Sequence, residues 1–314
     1  MKKWLIGLAV VFILLYAATW HPLTGQLVYQ STQRVEAALY GFEKGQVDLG
    51  DITFSVYRRN AERDSAPTLL LLHGYTASKE LWLRFANQID ERYNIIIPDL
   101  AGHGETGFDP QWSYSPSAQA TRLQRLLDAL NIDRATVIGN SMGGLIAANF
   151  ALQYPQRTKG IVVIDPAGVT SPVASRAEKL FQQGQSPFEI DNWSDFQEFY
   201  AMTMAQPPYV PKFVLRSMAE RYQQHKAEYI QIAEDFRNLD QLDGRLAEIA
   251  VPTLIIWGSH DQLLDVSAAA VWYKGIPNAE LEIFEGIGHM PMVERPAQTA
   301  ERVMEFLANP LEQQ

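Results

Sequence analysis

The 314-residue chain contains no cysteine, which excludes disulfides, thiolate metal sites and lipid attachment through a thiol. It leaves the redox compartment open. Runs rich in Lys and Arg are also missing. With 36 acidic against 26 basic side chains and a formal net charge of -10, a nucleic-acid partner is disfavoured. No internal repeat or low-complexity segment interrupts the chain, and no feature points to an obligate protein partner. What remains is an ordinary globular composition, long enough for one α/β domain of the larger kind with a sizeable core.

There is a single long apolar run, residues 4–18, preceded by Met1-Lys2-Lys3, with Trp4, Tyr16 and Trp20 near its ends. Its length falls between a signal-peptide core and a short membrane span. Aromatics at both ends suit a membrane interface. The sole small-residue cleavage candidate, Ala17-Ala18-Thr19, precedes bulky Trp20. These features favour an uncleaved anchor over residues 1–20, with a cleaved signal segment as the alternative. The lysines would stay cytoplasmic and the remainder of the chain would lie on the periplasmic or extracellular side. Residues 21–45 read as a partly helical spacer and residues 46–314 as the folded domain.

Within that domain, residues 47–58 alternate apolar and polar (Val47, Leu49, Ile52, Phe54, Val56), as a strand with one wet face does. A short, wholly apolar run follows at 68–72, and further apolar-rich runs lie at 94–98, 135–139, 160–165, 253–257 and 280–284. Such runs belong to strands buried on both faces of a parallel sheet. Helical patterns lie between them, at 79–90, 117–130, 142–153, 267–274 and 296–307. The alternation predicts a mostly parallel central sheet with helices on both faces. Only residues 167–250 break the rhythm. They lack strand-like runs and are rich in aromatics, Met, Gln and Pro, and they read as an inserted helical cap. In it, Ser194 before Asp195 resembles a capping box, 207–211 must be irregular because of its prolines, and 214–238 forms one or two amphipathic helices.

The most informative stretch is Gly139-Asn140-Ser141-Met142-Gly143, at the end of an apolar strand and the start of an Ala-rich helix. A serine between two glycines in that setting is a G-x-S-x-G nucleophile elbow. The glycines allow a sharp turn that lifts the hydroxyl clear of the sheet, and the following helix aims N–H groups at a developing oxyanion. Ser141 then needs a base, an acid and a second oxyanion donor.

Six histidines are available. His289 lies in a glycine-flanked loop after the last apolar strand, from which a ring can lean over the sheet edge. His21 belongs to the spacer, His225 to a cap helix, and His73 and His103 to tight loops where they hold backbone; His260 adjoins an acid and points elsewhere. His289 is therefore the base. Asp261 follows the 253–257 strand and gives the chain order Ser, Asp, His. Asp165, at the end of the preceding strand, competes for the acid role, and Asp265 does so more weakly. Oxyanion donors fall to the backbone N–H groups of Met142 and of Tyr75, in the loop His73-Gly74-Tyr75. The cluster Asp99 to Glu105 lacks metal-ligand spacing and the third glycine of a nucleotide fingerprint, so no metal or cofactor is expected.

Taken together, His73-Gly74-Tyr75, the 99–104 and 139–144 loops, the 254–261 stretch and Gly288-His289 resemble the α/β-hydrolase superfamily over nearly everything after residue 50. Within it, the motifs of 139–144, 207–211 and 288–294 resemble bacterial lipases and esterases. With Asp165-Pro166-Ala167-Gly168 and the anchor they are also similar to membrane-bound monoacylglycerol lipases. The resemblance implies an acyl-ester hydrolase of monoacylglycerols or similar lipid or ester substrates, working through an acyl-enzyme on Ser141 with Asp261 and His289. Two alternatives stand beside it. One is a carbon–carbon bond hydrolase of ring-cleavage products, whose oxyanion loop is usually longer and richer in glycine. The other is a non-catalytic small-ligand-binding module on the same fold.

Overall fold

The computed structural model describes residues 22–308 apart from Asp64. The apolar run at 4–18, and with it the expected anchor, lies outside the described residues. Among the described residues, no helix is long and apolar enough to cross a membrane.

The chain opens with helix α1 (Pro22–Leu39), followed by strands β1 (Glu43–Asp48), β2 (Thr53–Arg59) and β3 (Thr68–Leu72). A 3-10 turn (Lys79–Trp82) and the short α2 (Leu83–Ala86) lead to β4 (Asn94–Pro98), α3 (Pro116–Ala129), β5 (Ala135–Asn140), α4 (Met142–Gln153) and β6 (Thr158–Ile164). After β6 come four helices, α5 (Arg176–Gln182), α6 (Trp193–Thr203), α7 (Lys212–Gln224) and α8 (Lys226–Asn238). The sheet then resumes with β7 (Thr253–Gly258), α9 (Ser267–Gly275), β8 (Ala279–Phe284), α10 (Pro291–Glu294) and α11 (Pro296–Ala308). The eight strands lie in the order β1-β2-β4-β3-β5-β6-β7-β8. Pairing is antiparallel for β1 with β2 and β2 with β4, and parallel from β4 through β8.

The apolar runs are apolar because both sheet faces are covered. In β3, Leu70 and Leu72 pack into one core with Val137, Leu145 and Ile146, while Leu69 and Leu71 pack into the other with Ile95, Ile97 and Ile138. Each of those leucines is fully buried, worth about 1.5–3 kcal/mol apiece against exposure. The region read as a single strand over 47–58 is instead the β1–β2 hairpin. Its apolar positions fall on odd numbers up to Leu49 and on even numbers from Ile52, a change of phase that marks the turn. Gly50 sits there at φ 91, and its N–H donates to Asp48 Oδ1 at 2.9 Å. The helical stretch expected at 79–90 is shorter, its first turn being tightened to 3-10 geometry. The capping box that opens α6 is formed by Asn192 with Asp195; Ser194 lies inside the helix.

Candidate active site

Ser141 stands between β5 and α4 with φ 57 and ψ -120, a conformation that costs a non-glycine residue on the order of 1–3 kcal/mol. Its neighbours hold it there. Ser141 N–H donates to Ile164 O at 3.0 Å, and Ser141 O accepts from Gly144 N at 2.9 Å and Ala167 N at 3.1 Å. The flanking glycines are sterically required. A Cβ on Gly139 would lie 2.1 Å from Gly143 O, and one on Gly143 would lie 2.3 Å from Leu72 O and 2.7 Å from His73 O.

On the far side of the sheet's C-terminal edge, the loops after β7 and β8 meet. His289 Nδ1 and Asp261 Oδ2 are 2.7 Å apart, both side chains being buried. Asp261 Oδ1 accepts from Leu263 N at 2.8 Å and Leu264 N at 3.0 Å. The carboxylate accepts at Nδ1, so the ring's proton sits there and Nε2 is left as the acceptor, a tautomer assigned from its partners. The histidine loop is clamped from several sides. His289 N–H donates to Thr203 O on α6 at 3.1 Å. Asn140 Nδ2 donates to His289 O and to Ile164 O, both at 3.0 Å. Glu294 accepts from Gly288 N at 2.9 Å and from Gln206 N at 2.6 Å. A Cβ on Gly258 would come within 2.0 Å of Gly288 O, so the end of β7 lies directly against this loop. Nothing in the sequence singled out Asn140 or Glu294, because each acts through a backbone group distant along the chain.

Across the pocket, the loop after β3 carries Tyr75. Neither its N–H nor that of Met142 enters the loop hydrogen bonds that hold their neighbours. Tyr75's side chain points into the helices that follow β6: its hydroxyl donates to Tyr229 O at 2.6 Å and its ring packs on Phe188 and Phe236. His73, fully buried, ties this loop to the next. Leu100 N–H donates to its Nε2 at 3.0 Å, which puts the proton on Nδ1, facing Gly74 O at 2.8 Å. Burial pushes its pKa down to about 4.

Ser141 and His289 line one cavity of about 390 Å³, together with Gly74, Tyr75, Phe181, Phe199, Phe236 and Leu263. The phenylalanines come from α5, α6 and α8, so the helices between β6 and β7 line this side of the cavity with aromatic rings, with Glu178 and Arg237 among them. The other histidines stand elsewhere. His103 is buried beside His73 with rings 5.2 Å apart; His225 joins α7 to α8 and pairs with Glu228 at 2.7 Å; exposed His260 contacts Ser259 Oγ at 3.0 Å. Asp265 accepts from Ser267 N at 2.9 Å. Asp165 is fully buried beneath the site. Asp99 is saturated by Lys79 N, Lys79 Nζ and Glu105 N, a buried pair that closes its loop.

An elbow serine that shares a cavity with a hydrogen-bonded His–Asp pair at the end of a mostly parallel sheet is an arrangement characteristic of the α/β-hydrolase class. The α/β-hydrolase fold family model matches residues 67–296, and the chain belongs to that family. It is similar to Lipase 1 of Psychrobacter immobilis, 32% identical with 89% of this chain and 90% of that protein covered. It is also similar to monoacylglycerol lipase ABHD6 of Mus musculus, 28% identical with 77% of this chain and 76% of that protein covered. Among solved structures, a bacterial membrane phospholipase A superposes with a TM-score of 0.87 and 34% identity over 98% of both chains. The chain is accordingly a carboxylic ester hydrolase of the lipase and esterase kind.

Proposed function

We propose that the enzyme cleaves monoacylglycerols or similar acyl esters through an acyl-enzyme on Ser141. The observation that carries this reading is the 2.7 Å contact of His289 Nδ1 with Asp261, in a ring that shares its cavity with Ser141. His289 Nε2 takes the Ser141 proton as the hydroxyl oxygen attacks the ester carbonyl, and Asp261 stabilises the imidazolium that forms. Backbone N–H groups of Tyr75 and Met142 receive the oxyanion. His289 then protonates the departing alcohol and afterwards activates the water that releases the acid. The helices within 167–250 act as a cap whose phenylalanines receive the acyl chain. Residues 4–20 anchor the protein so that a membrane-dissolved ester meets the pocket.

A second substrate class, glycerophospholipids, is favoured by Arg237. Its guanidinium lies 3.8 Å over the Phe181 ring at the cavity and has no ion pair among the described residues, so a phosphodiester would find a cation there.

The test is fluorophosphonate labelling of wild type and Ser141→Ala, followed by a panel of mono-, di- and triacylglycerols and phospholipids of graded chain length. Labelling abolished by Ser141→Ala together with monoacylglycerol turnover supports the main reading. Absence of labelling in folded wild type would favour a binding module. Turnover of dienone ring-cleavage products with poor ester activity would favour the carbon–carbon hydrolase. Preference for phospholipid that is lost in Arg237→Met selects the second substrate class.

A further inference from the structure

Asp165 directly follows β6, with φ 44 and no solvent exposure. Its Oδ1 accepts from Gly258 N at 2.9 Å, while its Oδ2 is buried and has no hydrogen-bond partner. One carboxylate oxygen of Asp165, one of Asp261 and a ring nitrogen of His289 all lie within 4.8 Å of one another. Two ionised carboxylates packed this closely out of water, one with an unsatisfied oxygen, would repel each other with little screening. A single proton on Asp165 removes the repulsion and turns the orphan oxygen into a donor aimed at its neighbour.

We infer that Asp165 is a neutral carboxylic acid whose Oδ2–H donates to the Asp261 carboxylate, making it a positioning residue for the catalytic pair. Burial foremost, and then the Asp261 charge, push its carboxyl well above the usual range, against the opposing pull of the Gly258 N–H. The ionisable groups that face it are Asp261 and His289 from the loops after β7 and β8 and, more distantly, Glu294 on α10. With Leu263 and Leu264 on Oδ1 and His289 on Oδ2, Asp261 gains in Asp165 a further donor that fixes its plane. The inference rests on the reading of Asp261 as the catalytic acid.

Asp165→Asn tests it. The amide keeps the acceptor for Gly258, supplies an N–H where the acid supplied O–H, and tolerates positive φ. If Asp165 is neutral, no charge changes. Then the acidic limb of the kcat/KM pH profile on a short acyl ester moves by less than about 0.3 units, whereas Asp165→Ala, which removes the donor to Asp261, lowers kcat by about tenfold or more with KM little changed; an unchanged kcat in folded Asp165→Ala would overturn the positioning role. If Asp165 is ionised, removing its charge lowers that limb by roughly a unit or more, and the inference falls while the triad stands. If instead Asp165→Asn loses on the order of 10⁴ in turnover and Asp261→Asn does not, Asp165 is itself the acid and both readings fall. Independently of folding in the variant, infrared spectroscopy of the wild type at neutral pH should show a buried protonated carboxyl stretch. Its absence would overturn the assignment, and its selective loss in Asp165→Asn would support it.

Discussion

Asp261→Asn replaces an acceptor by a group that must choose which way to face. Oδ1 accepts two N–H groups, from Leu263 and Leu264, so the amide oxygen takes that position and the NH₂ is turned toward His289 Nδ1, where Oδ2 stood at 2.7 Å. A donor there forces Nδ1 to accept, the ring proton moves to Nε2, and Ser141 loses its base. The opposite amide orientation keeps the productive tautomer but strands two backbone N–H groups. At about 1–3 kcal/mol for each unsatisfied donor, it is disfavoured by about 2–6 kcal/mol, or roughly 30- to 10⁴-fold. The imidazolium also loses its counter-charge, so the total loss should approach 10⁴ in kcat, about 5.5 kcal/mol of transition-state stabilisation. The assay is kcat and KM on a short acyl p-nitrophenyl ester, with thermal unfolding run beside it. Most of the loss should fall in kcat, with little change in Tm. A folded Asp261→Asn variant within tenfold of wild type would refute the tautomer argument.

Gly143→Ala brings a Cβ to 2.3 Å from Leu72 O, a backbone atom that cannot step aside. It should cost about 1–3 kcal/mol in chemical denaturation and depress turnover by displacing the Tyr75 loop. Gly45→Ala, whose nearest new contact is 3.6 Å from an Arg58 side-chain nitrogen, should do neither. Burial pushes His73 down to about 4, and burial together with His73 pushes His103 down to about 3. Between roughly pH 6 and pH 4 the unfolded chain therefore binds up to two protons that the folded chain refuses. Their contribution to stability is present above pH 6.5 and lost as the pH falls, by up to about 2.7 kcal/mol per unit. Asp165 has the opposite sign, since the folded form holds a proton that the unfolded form has released. In Asp165→Asn the fall of urea stability from pH 6 to pH 5 should consequently be steeper than in wild type, by about one proton, or about 1.4 kcal/mol. An unchanged slope would count against a neutral Asp165.

Legibility in the sequence followed the range of the interaction. The parallel strands β3 to β7 could be placed because they are almost wholly buried, and β3 and β4 begin and end where their apolar runs do; edge strand β8, with Glu280 and Glu282, is only half-buried. The elbow could be placed because its steric demand falls on residues two apart from the serine. Where two local signals conflicted, the reading slipped. Alternation in 47–58 suggested one strand, while the change of phase at Leu49 and Ile52 and the glycine between them made a turn. At α6 the Ser194-Asp195 pair looked like a cap, yet Asn192, two residues earlier, has the side chain that accepts from Ser194 N and Asp195 N.

The acid was the hardest element to choose, for a geometric reason. Asp165 and Asp261 both leave the C-terminal ends of neighbouring strands, β6 and β7, so although the sequence favours Asp261, Asp165 remains a competitor for the imidazole. What separates them in space is Gly258. Its N–H holds Asp165 Oδ1 beneath the sheet edge, and its missing side chain lets the Gly288-His289 loop settle against β7, where Asp261 reaches Nδ1. A residue there with any Cβ would push the histidine loop away and separate the His289 ring from Asp261. On the proposed reading, the partition of roles between two chemically identical side chains depends on a glycine that belongs to neither loop. That is a three-body contact, and a chain read one element at a time does not contain it.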